Sequence, residues 1–249
     1  MDGKSLPWRV VWITGASSGI GFEIACQLAR DGIKVAASGR RDAPDFGTSG
    51  ITYFQVDAID LNAMAETAQK IEAELGPIDL AIFAAGLYEG SVPGQFSAEA
   101  CRRMMETNYG AVLSGISVCF PRMKARGRGH IAWIASVAGY GGLPRAAGYG
   151  ASKAALINLA ESLKLEWSGM GVDVSVINPG FVKTPMTSTN DFPMPFLMPV
   201  EAAAKATIAG LAAGKFEIAY PRRFVWLLKI LNLLPYAAYF PLVRRITGS

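Results

Sequence analysis

The chain has 249 residues, of which 51% are hydrophobic and 18% charged, a balance that supplies a large core and excludes a disordered or collagen-like protein. The net charge of +4 is dispersed and lacks a base-stacking aromatic motif, which argues against a nucleic-acid-binding protein. The chain has one histidine, His130, which argues against a histidine-based triad and a histidine-rich metal site. Its three cysteines are Cys26, Cys101 and Cys119, and their spacing fits neither a metal site nor a disulfide framework.

Apolar runs alternate with helical patterns along the whole chain. Continuous apolar runs are typical of parallel strands that are buried on both faces. Strands are predicted at residues 10–13, 35–38, 51–56, 80–84, 131–135, 174–177 and 216–220. Helices between successive strands predict an α/β fold, and we find no linker, repeat or signal peptide.

The first strand leads into a glycine-rich turn, Thr14 to Gly21, and then into a helical pattern from Phe22 to Arg30. A glycine turn between a strand and a helix lets backbone N–H groups approach a pyrophosphate, and the helix N-terminus favours negative charge. The spacing of Gly15, Gly19 and Gly21 is G-x-x-x-G-x-G. We therefore expect this turn to hold the phosphates of a nucleotide.

Tyr149 and Lys153 are four positions apart in a predicted helix, so their side chains share one helix face. A nearby ammonium favours the phenolate and lowers the pKa of the phenol, which makes a general acid/base for carbonyl–alcohol chemistry. Ser136 lies at the end of a predicted strand and is the candidate hydrogen-bond donor to the reacting oxygen. Tyr140 is set aside because no lysine follows it four residues later.

The order of these pieces resembles the short-chain dehydrogenase/reductase family over nearly the whole chain. The positions that match are residues 14–21, Asp57, Asn108, Ser136, Tyr149, Lys153 and residues 178–184. The resemblance implies a single-domain, Rossmann-type, doubly wound parallel sheet over residues 1–221, with residues 222–249 as an apolar, basic C-terminal extension. It also implies hydride transfer between a nicotinamide cofactor and a carbonyl or alcohol.

The resemblance assigns roles to the candidate catalytic residues. Ser136 and Tyr149 would bind the carbonyl oxygen, and Tyr149 would give it a proton. Lys153 would hold the nicotinamide ribose and keep the phenol acidic. Asn108 would anchor a water that reconnects Lys153 to solvent.

The resemblance also assigns the cofactor contacts, among which Asp57 would bind the adenine amino group and Thr184 would lie near the carboxamide. The full set is Gly15, Ser17, Ser18, Gly19, Ile20, Gly21, Arg40, Arg41, Asp57, Ala85, Gly86, Tyr149, Lys153, Pro179, Gly180, Val182 and Thr184. One segment departs from the family pattern: Phe83-Ala84-Ala85-Gly86 stands where Asn-Asn-Ala-Gly is usual. We expect altered local hydrogen bonding there.

The end of the second predicted strand bears on the choice of cofactor. NAD-specific sites place a carboxylate there for the ribose 2′-hydroxyl, whereas this chain has Gly39 followed by Arg40. A guanidinium can pair bidentately with the 2′-phosphate of NADP. We therefore predict NADP(H) in preference to NAD(H), with Arg40 as the main contact and Ser38 or Arg41 as the second.

Three functions remain open from the sequence. Phe and Met residues within 186–198 suit an adaptable apolar pocket and favour an apolar or lipid-like ketone. The basic run 122–128 could dock an acidic carrier, as in a 3-oxoacyl-[acyl-carrier-protein] reductase. A non-catalytic cofactor sensor or scaffold is the third, although such proteins are expected to lose Ser, Tyr or Lys from the catalytic set.

The C-terminal segment 222–245 is apolar with basic ends, and Lys229, Asn232, Pro235 and Pro241 interrupt it too often for a transmembrane span. It is expected either to cover the pocket or a subunit or to lie on a membrane. The family resemblance implies a homodimer or homotetramer built on helices that contain residues 110–115 and 154–160. We expect a cytoplasmic protein, with or without membrane association.

Overall fold

The computed structural model describes residues 6–91, 94–188 and 190–248. Seven parallel strands form one sheet in the order β3-β2-β1-β4-β5-β6-β7. The strands are β1 Val10–Thr14, β2 Lys34–Gly39, β3 Ile51–Gln55, β4 Leu80–Phe83, β5 Gly129–Ile134, β6 Val172–Pro179 and β7 Glu217–Tyr220. The predicted doubly wound fold is confirmed, and the strand order reverses between β1 and β4.

Helices cover both faces of this sheet. They are α1 Gly19–Arg30, α2 Leu61–Glu74, α3 Ala98–Met105, α4 Ala111–Arg126, α5 Ala147–Glu166, α6 Val200–Ala212, α7 Arg222–Asn232 and α8 Tyr236–Thr247. One core lies between the sheet and α2, α4 and α5, and the other lies between the sheet and α1 and α6. The first helix begins at Gly19, three residues before the predicted start at Phe22.

The indole N–H groups of two core tryptophans are buried and hydrogen-bonded. The side chains of Trp12 and Trp133 are fully buried. The indole Nε1 of Trp12 donates to the Ser38 hydroxyl at 2.9 Å, and that of Trp133 donates to the Leu156 carbonyl at 3.0 Å. Each buried N–H group therefore has a partner, which removes the cost of its desolvation.

His130 has a structural place at the start of β5. It is 6% exposed, and its Nε2 lies 2.8 Å from the Ser175 hydroxyl, which itself donates to the Lys215 carbonyl. Burial lowers the pKa of His130 to about 4, so the ring is neutral at physiological pH. A neutral ring buried in this way lies in the core and plays no part in the candidate site described below.

A π-helical turn, Glu106–Gly110, joins α3 to α4. Turns of this type are rare and often occur at functional sites, because the extra residue redirects a side chain. Here the turn contains Asn108, which is fully buried.

The C-terminal helices α7 and α8 pack against the segment that follows β5. Phe224 and Val225 of α7 form a small core with Val137. Tyr239 of α8 donates a hydrogen bond to the Gly142 carbonyl at 2.7 Å. Within residues 6–91, 94–188 and 190–248, no helix combines the length and the apolarity needed to cross a bilayer.

Candidate active site

A cavity of about 270 Å³ opens at the carboxyl ends of the strands, where the strand order reverses. This is the place where open α/β sheets bind their ligands. Of the predicted site residues, every one except Asn108 lines the cavity. The lining also includes residues that were not predicted: Val56, Ala58, Ile59, Thr107, Ala111, Pro185 and Thr187.

Two glycines of the turn, Gly15 and Gly21, are too tightly packed to accept a side chain. Gly15 has φ +67°, and a Cβ there would lie 2.4 Å from the backbone nitrogen of Ala85. A Cβ on Gly21 would lie 2.6 Å from the Gly15 carbonyl oxygen. Ser18 precedes α1 without a side-chain capping hydrogen bond in the described structure, and the first turn of α1 carries no acidic residue. The positive end of α1 therefore faces the cavity, as a pyrophosphate requires.

The end of β2 leaves no room for the carboxylate that selects NAD. A Cβ on Gly39 would lie 2.8 Å from the Tyr53 hydroxyl oxygen. That hydroxyl donates to the Arg41 carbonyl at 2.7 Å, and the Gln55 amide donates to the Arg40 carbonyl at 3.0 Å. These two hydrogen bonds hold the backbone of Arg40 and Arg41 in place. Both arginine side chains are exposed, and neither forms an ion pair with a residue that the structure describes.

Of the two predicted second contacts to the 2′-phosphate, Ser38 is the less accessible. Ser38 lines the cavity but is fully buried, and its hydroxyl accepts the hydrogen bond from the Trp12 indole. The exposed Arg41 is therefore the better placed of the two, and the contact stays a prediction.

Replacing Arg40 with alanine is expected to raise KM for NADPH by about tenfold to a hundredfold and to leave KM for NADH nearly unchanged. This range corresponds to the free energy that one hydrogen bond between charged groups contributes to binding. Steady-state kinetics with both cofactors measure the effect. Arg41→Ala is the matched control, and its effect on NADPH should be smaller. Equal losses with NADPH and NADH in Arg40→Ala would contradict the assignment.

Three side chains meet at the other end of the cavity. The Lys153 Nζ donates to the Ile134 carbonyl at 2.8 Å and lies 5.5 Å from the centre of the Tyr149 ring. The Ser136 hydroxyl accepts from the Ala138 N–H at 3.1 Å, donates to the Pro179 carbonyl at 3.4 Å and hydrogen-bonds with Tyr149. The predicted Ser136, Tyr149 and Lys153 thus form one cluster.

Burial sets the direction of both pKa shifts in this cluster. Burial raises the pKa of Tyr149 to about 12, although the hydrogen bond with Ser136 opposes this. Burial also lowers the pKa of Lys153 to about 7. Lys153 is not among the groups that shift the pKa of the phenol, so the lowering of that pKa by the ammonium stays a prediction.

Asn108 lies beneath the cavity and fastens the neighbouring segments. Its Nδ2 donates to the Leu87 carbonyl at 3.0 Å and to the Ser152 hydroxyl at 2.9 Å, and its Oδ1 accepts from the Leu87 N–H at 2.6 Å. Both hydrogens of the amide are used. The predicted water would consequently bind to the second lone pair of Oδ1 or to the backbone.

Two residues near the cluster were not predicted. Ser152 links Asn108 to α5, because its hydroxyl also donates to the Tyr149 carbonyl at 2.7 Å. The Tyr88 ring meets the Tyr149 ring edge-on, with a centroid distance of 5.1 Å. Ser152 could have been found from its place within Tyr149–Lys153, whereas no local pattern marks Tyr88.

Tyr140 is held away from any acid/base role by Glu217. Its hydroxyl donates to the Glu217 carboxylate at 2.6 Å, and burial followed by this hydrogen bond raises the pKa of Tyr140. Burial alone would raise the pKa of Glu217, but hydrogen bonds from Lys229, Tyr140 and Asn178 together lower it. This cluster ties the segment after Ser136 to β7 and α7.

Phe83 and Ala84, which stand where Asn-Asn is usual, are accommodated by a glycine on α4. Phe83 is 1% exposed, and a Cβ on Gly115 would lie 2.3 Å from its ring. A glycine on α4 therefore makes the space that the phenylalanine occupies. The Ala84 N–H still bonds to the Thr14 carbonyl at 3.1 Å, so the strand end keeps its backbone contact without the asparagine amides.

Replacing Gly115 with alanine is expected to lower the free energy of unfolding by about 1–3 kcal/mol, because the added methyl overlaps the Phe83 ring. Gly142→Ala is the control, since a Cβ there meets nothing within 4 Å. Urea unfolding of both variants measures the difference. Equal stability of the two variants would show that Phe83 can move aside.

Most aromatic residues of the segment after Thr184 pack on the protein and do not line the cavity. Phe192 contacts Phe181 at a centroid distance of 6.0 Å, and Phe196 contacts Phe224 of α7 at 5.9 Å. Among the Phe and Met residues of 186–198 that the structure describes, Met186 lines the cavity. The predicted apolar pocket is therefore only partly built from this segment.

The chain belongs to the short-chain dehydrogenase family, whose model matches residues 9–193. It is accordingly an oxidoreductase that uses NAD(H) or NADP(H). It is 34% identical to an uncharacterized oxidoreductase of Myxococcus xanthus (strain DK1622), over 97% of this chain and 98% of that protein.

Two further similarities agree with this. The Drosophila melanogaster dehydrogenase/reductase SDR family protein 7-like is 30% identical, over 74% of this chain and 60% of that protein. The crystal structure of a short chain dehydrogenase from Burkholderia cenocepacia J2315 in complex with NADP superposes with a TM-score of 0.81 at 26% identity, covering 97% of this chain and 98% of that chain.

Proposed function

We propose that the protein is an NADPH-dependent carbonyl reductase in which Tyr149 is the general acid. The observation that carries this proposal is the convergence of Ser136, Tyr149 and Lys153 at one end of a cavity whose other end is the glycine turn. Bound NADPH would supply the hydride. The choice of cofactor is supported by the NADP in the Burkholderia cenocepacia structure and by Arg40, which forms no ion pair with any residue that the structure describes.

In this proposal the protein acts on the carbonyl oxygen. The hydroxyls of Ser136 and Tyr149 donate hydrogen bonds to it, at the point where negative charge develops during reduction. The Tyr149 proton then passes to the nascent alkoxide. The Lys153 Nζ binds the nicotinamide ribose, and the Asn108–Ser152 hydrogen bond holds α5 in position.

The protonation of Tyr149 favours reduction as the direction. Its pKa of about 12 keeps the phenol protonated at neutral pH, ready to donate. An alkoxide is a stronger base than this phenolate, so the transfer is downhill. Oxidation of an alcohol would first require loss of the phenol proton and should therefore grow as pH rises.

We further propose an apolar or lipid-like ketone as substrate. Met186 lines the cavity, together with other apolar residues such as Val56, Ile59 and Val182. Apolar lining of this kind suits a hydrocarbon chain better than a sugar or a small polyanion.

The carrier-protein alternative loses part of its support. Arg122 and Arg126 both pair with Glu72 of α2, at 3.4 and 2.8 Å, and Arg126 also donates to the Ile78 carbonyl at 2.7 Å. Two cations of the basic run are therefore committed within the protein. The sensor alternative is disfavoured because Ser136, Tyr149, Lys153 and Asn108 are all retained.

We also propose a homo-oligomer built on α4 and α5, whose outward residues include Leu113 at 38% and Leu165 at 79% exposure. Light scattering after size exclusion would show a dimer or tetramer, and Leu165→Asp should shift it toward the monomer. A monomeric wild-type protein would contradict this arrangement.

The function is tested by following NADPH oxidation, beside NADH, across short aldehydes, steroid ketones, long-chain keto-lipids and 3-oxoacyl thioesters. Turnover of long apolar ketones with NADPH preference supports the proposal. Turnover confined to 3-oxoacyl thioesters favours the carrier-protein function. Tight NADPH binding with no turnover of any compound favours the sensor.

A further inference from the structure

Helix α7 is apolar on both faces, whereas a surface helix is expected to turn polar residues outward. Its lysine, Lys229, faces the protein and donates to the Glu217 carboxylate. Its large apolar side chains face outward along one stripe at helical spacing. These are Trp226 at 61%, Leu227 at 43%, Ile230 at 57% and Leu233 at 84% exposure.

Helix α8 continues this exposure across a short turn. It buries Tyr239 and Val243, while Tyr236, Phe240 and Ile246 are 76%, 53% and 58% exposed. The Tyr236 and Phe240 rings stack with a centroid distance of 5.4 Å. We name the seven residues Trp226, Leu227, Ile230, Leu233, Tyr236, Phe240 and Ile246 the C-terminal apolar surface.

This surface lies between two pairs of exposed arginines. Arg222 and Arg223 begin α7, and Arg244 and Arg245 lie in the last turns of α8. None of them forms an ion pair within the described part of the chain. After Glu217 the sequence contains no Asp or Glu, so no local carboxylate neutralises these cations.

We propose that α7 and α8 bind the surface of an anionic membrane. The C-terminal apolar surface enters the boundary between headgroups and acyl chains, and the arginines pair with lipid phosphates. Exposed Trp, Tyr and Phe beside Arg are the composition of helices that lie in this layer. Residues 222–249 then form a membrane-contact element, separate in function from residues 1–221.

A second copy of the chain fits this surface less well. A two-fold contact pairs a patch with itself, so arginines would approach arginines with no carboxylate between them. An anionic bilayer has the opposite charge and an apolar interior. Charge complementarity therefore favours the lipid surface over self-association.

The position of α7 and α8 gives the contact a consequence that rests on the proposed function. Their inner faces contact the segment that follows Ser136. Tyr239 of α8 donates a hydrogen bond to the Gly142 carbonyl. Lys229 of α7 and Tyr140 of that segment both donate to the Glu217 carboxylate. The two helices therefore pack on the segment that begins at the candidate catalytic Ser136. An apolar ketone that partitions into the bilayer would thereby be concentrated near the protein.

Trp226 provides a direct readout that does not depend on activity. Of the five tryptophans, Trp8, Trp12, Trp133 and Trp167 are at most 7% exposed. Acrylamide quenching of the full-length protein therefore reports mainly on Trp226. Vesicles of phosphatidylcholine mixed with phosphatidylglycerol should shift its emission to the blue and protect it from quenching, and vesicles of pure phosphatidylcholine should do so far less.

Vesicle flotation of four variants completes the test. Leu233→Ser with Ile230→Ser should weaken binding at least about tenfold, and Arg222→Gln with Arg223→Gln should weaken it and reduce its salt dependence. Phe96→Ser, at a residue 77% exposed outside the surface, should bind like the wild type. Tyr149→Phe should also bind vesicles, so loss of turnover and loss of membrane binding are distinguishable.

The proposal is overturned if anionic vesicles leave Trp226 open to acrylamide, or if neutral vesicles bind equally well. A different pair of results would also overturn it: no vesicle binding by the wild type or any variant, and a dimer in solution that Leu233→Ser with Ile230→Ser abolishes. The C-terminal apolar surface would then be a subunit interface.

Discussion

Tyr149→Phe is expected to lower kcat for the best carbonyl substrate by about 10²- to 10⁴-fold, the contribution typical of a positioned general acid. Phenylalanine keeps the ring over the Lys153 side chain and removes the proton that the alkoxide would receive. The dissociation constant for NADPH should not change, since the cavity keeps its shape. Stopped-flow reduction and fluorescence titration of NADPH measure the two quantities.

Tyr88→Phe is the matched control for this variant. The Tyr88 ring contacts the Tyr149 ring edge-on, so the change removes a neighbouring hydroxyl and keeps the packing. It should retain turnover within a few-fold. If Tyr88→Phe were as inactive as Tyr149→Phe, or if Tyr149→Phe stayed active, the acid would have to be sought elsewhere.

Lys153→Met is expected to remove most turnover and, at the same time, to stabilise the fold. Lys153 is 3% exposed, and burial lowers its pKa from 10.5 to about 7. Between these values the unfolded chain binds a proton that the folded protein does not hold. The stability of the wild type should therefore rise with pH from about 7 upward.

Methionine has a similar length and does not titrate, so the variant should lose this slope. At pH 7 it should be more stable by about 1–3 kcal/mol, the relief of lysine burial being partly offset by the unpaired Ile134 carbonyl. Urea unfolding between pH 7 and 9 measures both effects. A less stable variant with the wild-type slope would mean that Lys153 is well accommodated as a cation.

The fold could be predicted from the sequence because its signals are local. The strands β1 to β7 are continuous apolar runs, and their alternation with helices permits few arrangements other than a doubly wound sheet. The glycine turn and the spacing of Tyr149 and Lys153 are local as well. All of the predicted site residues except Asn108 line one cavity, and their roles stay predictions.

The features that the sequence did not reveal depend on distant residues. The Ser38 hydroxyl accepts a hydrogen bond from the Trp12 indole, which is 26 positions away. Burial raises the pKa of Tyr149 because the surrounding chain excludes water from the phenol, an effect that the four-residue spacing cannot reveal. Phe192 and Phe196 pack toward α7 and Phe181 because the chain folds back on itself there.

By itself the sequence determined the family, the alternation of strands and helices and the glycine turn, since each depends on residue type and short spacing, and it predicted Ser136, Tyr149 and Lys153 as the residues that carry the chemistry. Only the tertiary structure decided how those residues are protonated, that the Gly39 position excludes a carboxylate, and that α7 turns its lysine inward and its tryptophan outward. These properties follow from burial and from contacts between segments far apart in the chain, and burial is a property of the packed molecule.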